Sequence, residues 1–145
     1  VTSAALTADA PRPIGIRTPL RFGREGEGIF SMHTSLISQI EDNFRNMILT
    51  NAGERLGLYN FGANLQPLMT EIINRNEDFE AEALERIRRT TSTYMPFIQL
   101  ESFSSRPVFD GGGTSNVGRV QIEIRWGVPT LNVRNRLIRV NFFVI

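Results

Sequence analysis

Apolar residues recur at three- and four-residue spacing through Leu36, Ile37, Ile40, Phe44, Met47 and Ile48. That spacing predicts one amphipathic helix from about Thr34 to Leu49. Ser31 or Thr34 is a candidate N-cap, and Gly53 a left-handed residue that stops the helix. A second stripe (Leu65, Leu68, Met69, Ile72 and Ile73) predicts a helix over about Leu65 to Asn74. A third opens near Asn76 or Asp78 and runs to about Arg89, with Phe79, Ala83, Leu84 and Ile87 on its buried side. Glu77, Asp78 and Glu80 begin it and Arg86, Arg88 and Arg89 end it, as the helix dipole favours. After Thr90 the period becomes two. Ile98 and Leu100 alternate with Gln99 and Glu101 in a strand reaching about Phe103. Val120, Ile122, Ile124, Trp126 and Val128 alternate with Arg119, Gln121, Glu123 and Arg125 until Pro129. Between them, Asp110 to Asn116 reads as a hairpin tip. Thr130 to Asn135 makes a second connection, and a last strand covers Arg136 to Ile145. Its inner face is Ile138, Val140, Phe142 and Val144; its outer face is Leu137, Arg139, Asn141, Phe143 and Ile145.

Helices followed by an antiparallel meander give an α+β fold, about three helices packed on a small sheet of three or more C-terminal strands. Residues 1–30 read differently. Pro11, Pro13 and Pro19 exclude regular helix there, and Gly15, Gly23, Gly26 and Gly28 loosen the chain. The expected organisation is an extended arm over 1–30, then a single domain over 31–145. Within the arm, Thr18-Pro19-Leu20-Arg21-Phe22 is expected to be extended, with its two apolar residues as anchors.

The chain has 145 residues, and its 41% hydrophobic and 21% charged residues are those of a folded protein. Sixteen basic and fifteen acidic residues leave a net charge of +1, too little to organise binding to nucleic acid or anionic membrane. Every basic residue except His33 is arginine, a side chain suited to interfaces. Without cysteine there is no thiolate nucleophile or cysteine-ligated metal, and one histidine makes no multi-histidine site. No metal or other cofactor is therefore expected. The longest apolar runs fall far short of the roughly 20 residues that cross a bilayer. Val1-Thr2-Ser3-Ala4-Ala5 lacks the pattern of a secretory signal, so assembly in a cytoplasm is expected.

The segment Thr50-Asn51-Ala52-Gly53-Glu54-Arg55, then Tyr59-Asn60-Phe61-Gly62-Ala63-Asn64-Leu65, carries the densest pattern. Physically it is a helix stop, a polar turn and an aromatic plug before the next helix. Adjacent Glu54 and Arg55 point apart, so each is expected to find another partner. The series Thr50, Gly53, Glu54, Arg55, Phe61, Gly62 and Leu65 resembles the small sheath-initiator proteins of contractile-tail baseplates, a family once labelled lysozyme-like. Its members occur in contractile phages, R-type pyocins and related injection systems. The resemblance extends over roughly Thr18 to Ile145. It implies a structural protein of the virion tail baseplate that attaches to wedge proteins and starts sheath polymerisation. The implied partners are sheath-protein arms and wedge proteins, with tube or hub proteins beyond them, in roughly six copies around the tail axis. Where the family carries Glu-Pro-Arg for docking on the wedge, this chain has Met95-Pro96-Phe97, so an apolar contact is expected there.

The final strand fits that role. Ten residues extend roughly 33 Å. After Arg139 no charged residue or proline guards its Val140-Asn141-Phe142-Phe143-Val144-Ile145 end. At a sheet edge, the stretch Arg136, Leu137, Ile138, Arg139 and onward to Ile145 would template another strand; in the sheet centre it would be fully paired internally. The resemblance implies the former, with sheath arms as the added strands.

Two other functions have candidate residues in the sequence. A tail-associated cell-wall glycosidase needs two carboxyls about 5 to 9 Å apart, one with a raised pKa. Glu41, Asp42 and Glu54 are the candidates, the first two on an otherwise polar helix face where solvated carboxylates are expected. His33 between Ser31 and Ser35 lacks the spacing of an acyl-transfer site and is expected to be a surface or capping histidine. A nucleic-acid-binding α+β module would use Arg119, Arg125, Arg134, Arg136 and Arg139, but aromatic residues interleave poorly with them. The glycines of 22–28 come with Glu25 and Glu27, which repel phosphate. No catalytic residue is assigned.

Overall fold

The computed structural model describes residues 12–24, 28–69, 79–108 and 118–144. Two compact units are distinguished, residues 1–44 and residues 45–145.

In the first unit, two short strands, β1 (Gly15–Ile16) and β2 (Met32–His33), pair antiparallel with Gly15 opposite His33. A bridge between Phe22 and Phe30 and bonds from Ser31 N to Arg21 O and Gly23 N to Ile29 O extend the pairing. The prolines that forbid helix therefore still allow an irregular hairpin, because each strand is only a few residues long. Leu20 and Phe22 are not anchors: they are 62% and 84% exposed. Residues 25–27 and 1–11 lie outside the described residues.

Helix α1 (Leu36–Leu49) follows. The bond from Gln39 N to Ser35 O makes Ser35 its N-cap, one residue past the expected Thr34; Ser31 lies before β2. Ile40, Phe44, Met47 and Ile48 are buried as the spacing predicts, whereas Leu36 at the frayed end is exposed.

In the second unit, residues 65–69 form the described part of helix α2, and Leu65, Leu68 and Met69 are buried. The remainder of its predicted stripe lies outside the described residues. Helix α3 (Phe79–Tyr94) outlasts its expected end at Arg89. The Thr90 and Thr93 hydroxyls donate to Arg86 O and Arg89 O one turn back, and α3 continues through these β-branched residues, with Thr90 and Thr91 buried. The expected basic last turn becomes the middle of the helix, where Arg86 pairs with Glu82 at 3.1 Å.

The sheet has the order β3–β4–β5, with β3 Gln99–Val108, β4 Gly118–Val128 and β5 Val133–Val144, all antiparallel. The first and last strands are longer than predicted. The second connection shrinks to a 3-10 turn (Pro129–Leu131) closed by Asn132 in the left-handed region, and Val133 to Asn135 already belong to β5. Ile122, Ile124, Trp126, Val128, Ile138, Val140 and Phe142 form one buried face, as alternation requires. The expected hairpin tip of 110–116 lies outside the described residues.

Candidate functional site

Three places gather residues of interest, beginning with the loop from Thr50 to Leu65. The Thr50 hydroxyl and N–H both donate to Asn46 O, closing α1. The loop then returns, and Ala63 N and Asn64 N donate to Met47 O and Thr50 O, filling helix-end carbonyls that otherwise lack partners. This return requires Gly62. Its φ is +110°, and a Cβ there would collide with the Thr50 carbonyl. Gly53, at φ +88°, is left-handed as expected, but it lies in the turn beyond the helix end, with its N–H bonded to Tyr59 O. Glu54 and Arg55 do part. Glu54 accepts from Asn51 N and Nδ2 at 2.8 and 2.9 Å, which holds its carboxyl below the ordinary range. The Arg55 guanidinium lies 4.4 Å over the ring of Phe61, itself edge-on to Tyr94 at 5.0 Å. Asn64, at φ +53°, ties the loop to α3 through its carbonyl and Arg86 Nη1. Gly62 and Asn64 sit at the base, while Leu56 and Tyr59 at the tip are exposed.

The second place is β5. Among the described residues it has one neighbour, β4, and so lies at a sheet edge. Its register runs without interruption from Arg136 opposite Trp126 to Val144 opposite Gly118. The single irregularity falls earlier, between Trp126 and Val128, where Gly127 leaves room for the Val133 carbonyl. Ile138, Val140 and Phe142 are buried; Arg136, Arg139, Asn141 and Phe143 are exposed and Leu137 is half-buried. Val144 ends the strand, and Ile145 lies outside the described residues. Gln66 Nε2 donates to Phe143 O. The opposite edge, β3, differs. Its register shifts between Leu100 and Ser102, and Pro107 offers no N–H. The arginines near the last strands are partly spent within the sheet: Arg139 pairs with Glu123 at 2.9 Å and Arg125 donates to Asn135.

Met95-Pro96-Phe97 forms the turn between α3 and β3. Met95 is buried and donates its N–H to Thr91 O, while Pro96 and Phe97 face outward.

The third place was not legible in the sequence. His33 and Asp42 are 6% and 7% exposed, and His33 Nε2 donates to Asp42 Oδ2 at 2.5 Å. The expected surface histidine and solvated carboxylate are thus a buried pair. Nine residues separate them, a spacing fixed only once β2 runs into α1. Thr18 N also donates to Asp42 Oδ2 at 3.0 Å. Burial alone would raise the Asp42 carboxyl, but the Thr18 N–H and the His33 ring outweigh it and hold the pKa low. A cavity of about 540 Å³ beside the pair is lined by Arg17, Thr18, Pro19, Arg21, Phe22, Arg24, Ser31, His33 and Asp42. Among the described residues no group of carboxylates and histidines could hold a metal ion, and no helix is long and apolar enough to cross a membrane.

No protein-family model matches the chain, and no curated protein matches it. Solved structures do. One is the crystal structure of a Geobacter sulfurreducens protein provisionally named a tail lysozyme, 19% identical, covering 79% of this chain and 94% of that one at a TM-score of 0.56. Another is a chain of the sixfold-symmetrised cryo-EM structure of the anti-feeding prophage baseplate, 16% identical, covering 88% and 81% at a TM-score of 0.54. The α+β fold expected from the periodicity of the elements is the fold shared with a chain of that baseplate.

Proposed function

We propose that this protein is a structural component of a contractile-tail baseplate that initiates the sheath by accepting strands at the free edge of β5. The observation that carries this reading is the uninterrupted run Arg136–Val144, paired on one side and, among the described residues, with no strand on the other. Each backbone bond made to an added strand contributes roughly 1 kcal/mol net, so several in register hold a ring of subunits. The β3 edge, bulged and interrupted by proline, is the poorer template. The exposed Pro96-Phe97 turn is an apolar contact for wedge proteins, and the fold likeness to a baseplate chain supports placement in the tail, in roughly six copies.

The name of one structural neighbour motivates the glycosidase alternative. A general acid needs a raised pKa. Asp42 and Glu54 are both held low, and Asp42 is already engaged by His33 and Thr18. With two of the three candidate carboxyls engaged in this way, we expect the purified protein to leave peptidoglycan intact.

The deciding experiment is sheath assembly on baseplates carrying Asn141→Lys with Phe143→Lys on β5, or Gln99→Lys with Ser102→Lys on β3. All four side chains are exposed, so folding should survive. Lysines on β5 should stop sheath growth and those on β3 should not. Normal sheaths from the β5 variant would refute strand addition there. Truncation after Arg139 would not isolate the edge, because Val140 and Phe142 belong to the core.

A further inference from the structure

The free edge of β5 has a phase that Pro107 on β3 reveals. Pro107 lies opposite Val120 and has no N–H, so the two cannot exchange backbone bonds. The hydrogen-bonded pairs are their neighbours, Arg106 with Gln121 and Val108 with Arg119. Backbone groups alternate in direction along a strand, so Val120, Ile122 and Ile124 turn theirs to β5, where they meet Phe142, Val140 and Ile138. Leu137, Arg139, Asn141 and Phe143 point their N–H and C=O the other way, to the side with no strand among the described residues. One of these groups is taken. Gln66, at the start of α2, donates its Nε2 to Phe143 O at 3.0 Å, as an outward carbonyl allows. At the other end of the run, Asn135 is left-handed, at φ +57°, and its N–H is held by the Glu101 carboxylate at 3.1 Å.

We propose that the strand-accepting edge of β5 is a template of fixed length, Leu137 to Asn141, with Gln66 standing where the N–H of a further partner residue would come. This rests on the reading of β5 as the edge to which a strand is added. The Gln66 side chain fills the place opposite Phe143, so an entering segment pairs through Leu137, Arg139 and Asn141 and stops there, which fixes its register. Its residues opposite Ile138 and Val140 fall on the buried face of the sheet, and the others fall on the face where Arg139 and Asn141 are exposed. The partner that fits is an extended segment of about five residues, apolar at the second and fourth positions and polar at the rest.

The test is hydrogen exchange read amide by amide with NMR on the full chain, alone and with a seven-residue peptide alternating threonine and valine. Alone, the amides of Ile138, Val140 and Phe142 should exchange slowly and those of Leu137, Arg139, Asn141 and Phe143 fast; the reverse alternation would overturn the phase. Peptide at about ten times its Kd, read from the same titration, should slow Leu137, Arg139 and Asn141 about tenfold and leave Phe143 unchanged. In Gln66→Ala, which keeps a good helix former in α2, Phe143 should slow with them. Slowing of Phe143 in the unaltered chain, or none there in Gln66→Ala, would overturn the stop while leaving strand addition in place. No slowing at Leu137, Arg139 or Asn141 with about 5 mM peptide would overturn strand addition itself, and the template with it.

Discussion

The Thr50–Leu65 loop and the Ile14–His33 hairpin are built from similar residues, glycines, arginines and aromatics, yet use them in opposite ways. In the loop, backbone N–H groups turn back to fill the carbonyls that end α1, and the Arg55 guanidinium lies over a buried Phe61. In the hairpin, backbone bonds are satisfied between its own two arms, and Phe22 is left 84% exposed beside arginines that line a cavity. Where the main chain must approach another main chain closely, the side chains are drawn in. Where the pairing is local, many of them are left exposed. The base of the loop is thus a structural device and the hairpin a surface.

The sharpest break of that contrast is Gly62→Val. It adds both a left-handed penalty and a clash with the Thr50 carbonyl, and should cost roughly 3 kcal/mol or more in denaturant unfolding. Next comes the buried polar pair of the hairpin unit, His33 with Asp42. Asp42→Ala leaves the His33 ring and the Thr18 N–H without their acceptor and should cost about 2 kcal/mol at neutral pH. Because the Asp42 pKa is lower in the folded chain than in the unfolded one, its stabilisation is complete above the unfolded value of about 4 and is lost as pH falls through the folded value. Asp42→Asn should therefore flatten the acid side of the stability profile, and an unchanged slope would show that the carboxylate is not held low. Gly53→Val, left-handed but with open space around it, should cost about 1 kcal/mol, clearly less than Gly62→Val. Equal losses at the two glycines would mean that close approach is not what Gly62 provides. Smallest of all, Phe22→Ser and Ile29→Ser should each change stability by less than about 0.5 kcal/mol. A loss near that of Asp42→Ala would turn the hairpin from a surface into a core.

Much of this was readable from the chain alone. Alternation placed Ile122, Ile124, Trp126, Ile138, Val140 and Phe142 on one face, and three- and four-residue spacing placed Ile40, Phe44, Met47 and Ile48 on another, because local geometry fixes which residues share a side. The partings of Glu54 from Arg55 and the left-handed Gly53 followed from the same local rules. Tertiary structure decided the rest. It buried Thr90 and Thr91 in a helix that runs on to Tyr94, put β5 at an edge among the described strands, and joined His33 to Asp42. Strand order and long-range polar pairs depend on which surfaces meet after the chain has turned, and periodicity carries no information about distance between segments that are far apart in sequence.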